Sequence, residues 1–513
     1  MTQPADLQNL SPDQLRKLVM QLQETVTTQA QGLAERDASI HQLQTHKDKL
    51  THELALLRRH RFGKRSEGLD KQQLALLDTL VDEDIAAIEA ELEKALVASP
   101  PRERKKPKRQ ALPSDLPRTE IHHEPENTNC ACGCAMTRIG EDVSEKLDYQ
   151  PGIFSVERHI RGKWCCRDCD SLVQAPVAAH IIDKGIPTTG LLAQVLISKY
   201  ADHLPLYRQE QQFARSGVTI PRSTLADWVG RCGVELQPLV DALREQLLEQ
   251  TVLHADETPV AMLAPGKQRT HKAYVWAYAA TRYSAIQGVV YDFRPSRAGK
   301  ESRDFLADWR GKLVCDDYSG YKAGFTKGII EIGCMAHARR KFHDLHVANK
   351  SQIAEQALDY IKQLYLIERE LVELSPEQRR QQRQELAKPI IDQLHHWLVG
   401  KRQKVPDGSA TAKAIQYSLK RWNALTRYLD DGAVPIDNNW VENQIRPWAL
   451  GRSNWLFAGS LRSGQRAANV MTLIQSAKIN GLNPQAYLKD VMERLPTQRA
   501  SKINELLPHN WQP

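Results

Sequence analysis

The spacing of apolar residues changes character several times along the chain. From Leu15 to Leu57 they recur on a heptad, with Val19, Val26, Leu33, Ile40, Lys47 and Leu54 at a, and Leu15, Leu22, Gln29, Arg36, Leu43, Leu50 and Leu57 at d. Ten of these thirteen positions are apolar, which predicts a long helix with a coiled-coil seam and therefore self-association. A second periodic stretch, Leu74, Leu77, Val81, Ile85, Ile88 and Leu92, keeps a helical hairpin open as the alternative. From about Ile121 to Pro176 the pattern is of short β-like pieces, and from about Leu191 to Gln250 it is helical again. Beyond Thr251 five runs read as strands: T-V-L-H-A-D, A-Y-V-W-A-Y-A-A, A-I-Q-G-V-V-Y-D-F, G-K-L-V-C-D and G-I-I-E-I-G-C. The first three are close enough for antiparallel pairing. From Ala338 to Tyr428 strand character gives way to Gln-, Arg- and Leu-rich helix, and short helices end the chain.

At 513 residues several structural units are expected. We divide the chain into a helical oligomerisation region (1–99), a basic Pro-rich linker (100–120), a metal-binding module (121–176), a helical segment (177–250), an α/β domain (251–460) with a helical insertion at 345–430, and a helical tail (461–513). Lys plus Arg outnumber Asp plus Glu by 70 to 62, and the surplus is gathered into runs such as Arg58–Arg65 and Pro100–Arg109. Such patches favour a polyanionic partner. No apolar run approaches a membrane span, so the chain reads as soluble and cytosolic, with no membrane partner.

Six of the nine cysteines fall between Cys130 and Cys169. A cytosolic chain keeps thiols reduced, so this clustering points to zinc rather than disulfides. Cys166 and Cys169 form one knuckle. C-A-C-G-C offers three thiols for the other two places, and we choose Cys130 and Cys132 with Cys134 in reserve. The role expected of the ion is structural. Cys232, Cys315 and Cys334 are isolated and read as packing residues. In the helical segment, V-T-I-P followed by Arg222, Ser223 and Thr224, then by apolar Leu225, Trp228 and Val229, has the form of a DNA-binding helix-turn-helix. Ser223 or Thr224 stands near its N-cap.

Three acidic residues remain: Asp256 and Asp316, each at the polar end of a strand-like run, and Glu442 in a polar stretch that turns helical. Singly each reads as a turn cap or a surface residue. Together they suit a hard divalent cation with an open face, Mg²⁺ or Mn²⁺, of the kind that serves phosphoryl transfer. Strand-end Asp, strand-end Asp, helical Glu is the order of the ribonuclease-H-like DDE nucleotidyltransferases. The gap from Asp316 to Glu442 is more than twice that from Asp256 to Asp316, which the helical insertion explains.

H-A-D-E-T-P-V, V-V-Y-D-F-R-P-S-R, D-D-Y-S-G-Y, G-C-M-A-H-A-R-R-K-F, D-N-N-W-V-E-N-Q-I-R-P and G-R-S-N-W-L-F-A-G-S closely resemble the DDE transposases of bacterial insertion sequence 66 elements. The cysteine segment, the leading leucine-rich helix and the tail T-L-I-Q-S-A-K-I-N-G-L-N-P-Q-A-Y-L resemble them too. The resemblance implies a ribonuclease-H-like catalytic domain with Asp256, Asp316 and Glu442 as its metal-binding triad, and selects Asp316 over Asp317. It implies DNA partners (element terminal repeats and target DNA), a homo-oligomer, possible need for other element-encoded proteins, and a nucleoid-associated location. Around the triad, His337 is a candidate for positioning the scissile phosphate, and Arg339 and Arg340 for contacting phosphates bidentately. Arg446 and Arg452, beside Trp448 and Trp455, form a basic-aromatic mix suited to distorted DNA ends, unless the tryptophans are core. Two rival functions stay open: a nuclease of the same fold that does not join strands, and a noncatalytic zinc and helix-turn-helix DNA-binding regulator.

Overall fold

The computed structural model describes residues 12–62, 71–95, 112, 114, 116–125, 128–129, 135–150, 152–167, 169–182, 185–264 and 270–512. Cys130, Cys132, Cys134 and the basic run Pro100–Arg109 lie outside them. Contacts divide the chain into two compact units, Met1–Lys64 with Ile88–Lys106 and Arg65–Ala87 with Pro107–Pro513.

In the first unit the heptad stretch is a single helix, α1 (Pro12–Phe62); α2 (Lys71–Ala95) follows, belonging to the second unit up to Ala87 and to the first from Ile88. Leu33, Ile40 and Leu43 of the seam are 59%, 51% and 61% exposed, whereas Leu50 and Leu54 are buried. The seam therefore has two parts. Near Phe62 it is covered, and an Arg58–Glu89 ion pair of 2.5 Å ties α1 to α2 there. From Leu33 to Leu43 it faces water, which is costly for leucine and isoleucine on one stripe unless a partner covers them.

The second unit begins with a sheet of β1 (Arg118–His123), β2 (Thr137–Gln150), β3 (Ile153–Cys165) and β4 (Leu172–Gln174), in the order β1-β3-β2 with β4 also on β3. The β2–β3 hairpin is longer than the sequence pattern suggests. It closes at Gly152, whose φ of +85° a side chain would resist. Among the described residues, Met136 and Cys166, with Trp164 and Val173 against them, form a small apolar cluster beside the cysteine knuckle.

Helices α3 (Thr189–Tyr200), α4 (Leu206–Arg215), α5 (Arg222–Glu235) and α6 (Gln237–Leu248) follow. Leu225, Trp228 and Val229 are buried as their spacing predicts. Ser223 and Thr224 do not cap α5, however. Pro221 holds the N-cap place, and the Glu210 carboxylate accepts the Arg222 amide at 3.0 Å instead. Gly230 and Gly233 press α5 so closely against α2 and Arg466 that a Cβ on either would overlap them. With Ala226, Gly230, Cys232 and Gly233 buried as well, α5 is covered on most sides, and its exposed part is confined to the first turn.

The five predicted strands form one sheet: β5 (Val252–Met262), β6 (His271–Ala280), β7 (Val289–Arg294), β8 (Lys312–Cys315) and β9 (Ile330–Gly333). Its order is β7-β6-β5-β8-β9, antiparallel on the β6–β7 side and parallel from β5 to β9. Helix α7 (Gly299–Leu306) links β7 to β8, and the short α8 (Lys322–Phe325) links β8 to β9. Alternate strand residues enter different cores. Leu253, Ala255, Leu313 and Cys315 face α3, α5, α6 and α16 (Leu461–Ile479), while Val252, Val314 and Ile332 face the helices that follow β9.

Those helices are α9 (Met335–Asn349), α10 (Gln352–Glu370), α11 (Pro376–Gln382), a π-helical turn at Arg383–Ala387, α12 (Lys388–Arg402), α13 (Ala410–Lys420) and α14 (Trp422–Thr426). The chain then returns to the sheet as α15 (Asn439–Trp455), and after α16 come α17 (Pro484–Arg494) and the 3-10 turns Leu495–Thr497 and Ala500–Leu506. The second unit is thus mixed α/β. Among the described residues no helix is long and apolar enough to cross a membrane.

Candidate active site

Asp256 is not at a strand end, as its sequence context suggests, but inside β5, where it pairs with Ala277 of β6. The polar residue is accommodated because only one edge of β5 is still paired there. Parallel pairing with β8 stops at His254 opposite Val314. Just beyond the paired segment lie Asp256, two residues further along β5, and Asp316, the residue after β8 ends. Asp256 shares the face of Val252 and His254, the face that packs on the helices after β9, whereas Glu257 points to the other.

Glu442 reaches the same place through α15, whose N-terminus is held by Asn438. This buried side chain donates to the Ala255 carbonyl at 2.9 Å and accepts from His254 Nδ1 at 2.8 Å. Its backbone amide donates to Cys334 Sγ at 3.2 Å, and Met335 N bonds the Ile436 carbonyl at 3.1 Å. One asparagine thus fixes the start of α15 to the residue before Asp256 and to the end of β9. Glu442 follows one helical turn later. The words L-H-A-D and D-N-N-W contain His254 and Asn438, but nothing in their spacing reveals that the two meet.

Burial of Asp256, followed by the Glu257 charge and smaller repulsions from Glu442 and Asp316, pushes its carboxyl up to about 8; the Glu257 amide, bonded to Oδ1 at 2.9 Å, works against this. Three carboxylates from β5, the end of β8 and α15 therefore share one field. Asp316 Oδ1 accepts the Tyr318 amide at 2.8 Å and makes no ion pair among the described residues. Asp317 differs: Arg421 holds it at 2.5 Å, and the same guanidinium reaches Glu331 at 2.9 Å. Glu257 is likewise committed, to Arg297 at 2.5 Å and the Tyr321 hydroxyl at 2.7 Å. Arg297 and Tyr321 close the family-like words V-V-Y-D-F-R-P-S-R and D-D-Y-S-G-Y, whereas Arg421 had no signal beyond its residue type.

On the Glu442 side, His337 Nδ1 lies 3.7 Å from Oε1 and Arg340 Nη2 lies 3.6 Å from Oε2. Both His337 Nδ1 and Glu442 Oε1 are buried without a hydrogen-bond partner. With Cys334 Sγ they form a group whose ligand atoms lie within 4.8 Å of one another. Burial pushes the Cys334 thiol up to about 12, in keeping with a packing residue rather than a thiolate ligand. The donors best suited to a hard cation are the carboxylates.

Not every sequence-predicted residue gathers here. Arg339 is exposed on α9 beside Arg340, and Arg446 is exposed one turn after Glu442. Arg452 bonds the Pro259 carbonyl at 3.0 Å, which occupies it in holding α15 on β5. Trp448 is a core residue, packed edge-on against Tyr291 and Trp455, so it offers no open face for a base. Arg222, Ser223 and Thr224 lie on α5, well before this site in the chain. At the cysteine knuckle, Cys166 N bonds the Ser171 carbonyl at 3.0 Å and Asp170 N bonds the Cys166 carbonyl at 2.9 Å, turning Cys166 and Cys169 back on each other.

His254 makes a testable contribution to stability. Its Nδ1–H serves Asn438, Nε2 is buried without a partner, and burial drives the imidazole down to about 4. The folded value lies below the unfolded one of about 6.5, so the stabilisation is complete above that pH and is lost as pH falls towards 4. Urea denaturation across this window should show a loss of up to about 3 kcal/mol, and His254→Gln should flatten that slope.

A family model described as "Transposase IS66 family" matches residues 184–466, more than half of the chain and all of the site just described. The chain belongs to the IS66 transposase family. Further models of this family match on either side: "zinc-finger binding domain of transposase IS66" at 127–170, "IS66 C-terminal element" at 472–509, and "Transposase C of IS166 homeodomain" at 49–121. Similar relatives of this IS66-family chain include the uncharacterized proteins y4qI and y4hP of Sinorhizobium fredii (strain NBRC 101917 / NGR234). The first is 38% identical over 90% of this chain and 89% of its own length, the second 34% identical over 90% and 87%. Membership indicates an insertion-sequence transposase that acts on DNA and contains a zinc-binding domain.

Proposed function

We propose that this IS66-family chain is a DDE-type DNA transposase in which Asp256, Asp316 and Glu442 are the catalytic triad. It cleaves the ends of its element and joins the freed 3′-hydroxyls to target DNA. The observation that carries this reading is the approach of Glu442 and Asp316 to Asp256, whose carboxyl burial, then the Glu257 charge, and to a smaller extent those two acids push up to about 8. Carboxylates crowded out of water are poorly stable by themselves and are stabilised by a cation. The strand order β7-β6-β5-β8-β9, with an acid on the first strand, a second after the fourth and a third on a following helix, supports a ribonuclease-H-like domain.

The donor set suits Mg²⁺ or Mn²⁺, with Glu442 Oε1 buried without a hydrogen-bond partner. When bound, such ions supply charge neutralisation and a more acidic attacking hydroxyl or water for in-line transfer at phosphorus. The chain's own contribution is positioning. Asn438 sets Glu442 against β5, Arg421 keeps Asp317 away from the site, and Arg340 and His337 stand where a phosphate oxygen approaches Glu442. In the cysteine module, the meagre apolar cluster around Cys166 favours a structural Zn²⁺ held by Cys130, Cys132, Cys166 and Cys169, with Cys134 as the alternative to one of the first pair. The exposed seam from Leu33 to Leu43 supports homo-oligomerisation, which would bring two element ends together. DNA recognition through Arg222, Ser223 and Thr224 is then restricted to the exposed first turn of α5.

Incubation with Mg²⁺ and DNA carrying the parent element's ends tests the reading. Nicked ends and a joined target product are expected. Cut product without joining would leave a nuclease, and binding without either product would leave a regulator.

A further inference from the structure

Between α9 and α10 runs an open groove of about 740 Å³, lined on one side by Ala336, Arg339, Arg340 and His343 and on the other by Asp359, Lys362 and Arg369. Asn439, in the first turn of the helix that carries Glu442, lines it as well. A second groove continues from there past Asn439, Tyr365 and Arg369 to Arg282, Tyr283 and Trp440. The positions on α9 and α10 recur at helical spacing, so each helix presents one continuous face.

The charge on these faces is one-sided. Arg339, Lys362, Arg369 and Arg282 make no ion pair or hydrogen bond among the described residues. Neighbouring acids are occupied elsewhere: Asp437 accepts the Tyr365 hydroxyl at 2.7 Å and the Asn439 amide at 3.0 Å, and Glu368 is held by Arg383 at 2.6 Å. Asp359 alone stands in the groove without such a partner among the described residues. An ordinary solvated helix face needs no connection to chemistry. This one is connected, because Arg340 both lines the groove and reaches Glu442 at 3.6 Å.

We propose that α9 and α10 form a phosphodiester track, in which Arg339, Arg340, Lys362 and Arg369 neutralise successive phosphates of the DNA strand flanking the scissile bond. Lys362 and Arg369 are seven residues apart, or about 10 Å along the helix, which matches roughly three nucleotide steps of 3.4 Å. The helical segment inserted before Glu442 is then a DNA-binding element, and a strand lying on it is delivered to Glu442 by Arg340. The inference rests on the transposase reading, since it takes the neighbourhood of Glu442 as the place of cleavage.

The test measures binding of a labelled duplex carrying one end of the parent element, by fluorescence anisotropy over a range of salt. For Lys362→Ala/Arg369→Ala, Kd should rise about tenfold and the log–log salt slope should shrink by about 2, near 0.9 for each lost phosphate contact. Asp359→Asn, an exposed substitution that does not threaten folding, should instead lower Kd about threefold by removing the one opposing charge. Unchanged Kd and slope in the double variant, or unchanged Kd in Asp359→Asn, overturns the track. If this occurs while wild type still cuts and joins element DNA, the transposase reading survives. A wild type that binds with the predicted Lys362 and Arg369 dependence but never cuts sinks the transposase reading alone.

Discussion

Asp256→Ala should abolish cleavage and joining, lowering the rate by about a thousandfold or more, while affinity for element-end DNA should stay within a few-fold of wild type. The size of the effect follows from what the carboxylate contributes. On the proposed reading it is one of three acids that hold the same cation, and its loss would remove an oxygen donor and a unit of negative charge from the site. The binding surfaces proposed above lie on other elements, chiefly α5, α9 and α10. Loss of activity through misfolding is separable by thermal melting. Because burial and neighbouring acids push the Asp256 carboxyl up to about 8, its ionised form is unfavourable in the metal-free fold. The folded value lies above the unfolded one of about 3.8, so this site stabilises the fold at acid pH and loses that contribution as pH rises through about 8. At neutral pH and above, the metal-free alanine variant should therefore melt no lower than wild type. A noncatalytic regulator predicts instead that every activity is unchanged.

Arg383→Ala should destabilise the second unit by about 4 kcal/mol, read as a lowered denaturant midpoint. Arg383 is fully buried and meets Glu368 through two bonds of 2.7 and 2.6 Å. Its Nη1 also serves the carbonyls of Tyr428, Asp431 and Val434 at 2.8 to 2.9 Å. Removing it leaves a buried carboxylate and three carbonyls without their donor, the situation in which a broken buried pair costs most. Arg383→Lys should recover little, because an ammonium cannot span a bidentate carboxylate and three carbonyls at once. The damage should extend to chemistry. The carbonyls that Arg383 ties down belong to the segment leading into Asn438, so catalysis should fall even where the variant remains folded.

Much of this organisation is legible in local pattern. The heptad from Leu15 to Leu57 becomes one helix, and each of the five apolar runs after Thr251 becomes a strand of one sheet, because period and length report which face is buried. The limits are equally specific. Strand-like apolarity ends at Ala255, yet β5 continues to Met262, since β6 goes on pairing with it whatever the side chains. Ser223 and Thr224 are good capping residues, but Glu210, brought in from α4, takes the cap's task. Trp448 sits in a basic stretch that suggests DNA, and packing against Tyr291 claims it for the core.

By itself the sequence determined the types of element, their order, the family words and the three acids on which the proposed chemistry depends. These are properties of residues near one another in the chain, where hydrophobic period and side-chain chemistry are directly visible. Tertiary structure alone decided that Asp256 and Asp316 stand just beyond the paired segment of neighbouring strands, that Asn438 docks the start of the Glu442 helix on β5, and that Asp317 and Glu257 are bound to arginines instead. It also turned scattered lysines and arginines of α9 and α10 into one groove. Register, burial and pairing across distant segments set these outcomes, and none of them leaves a periodic trace in the residues that carry it.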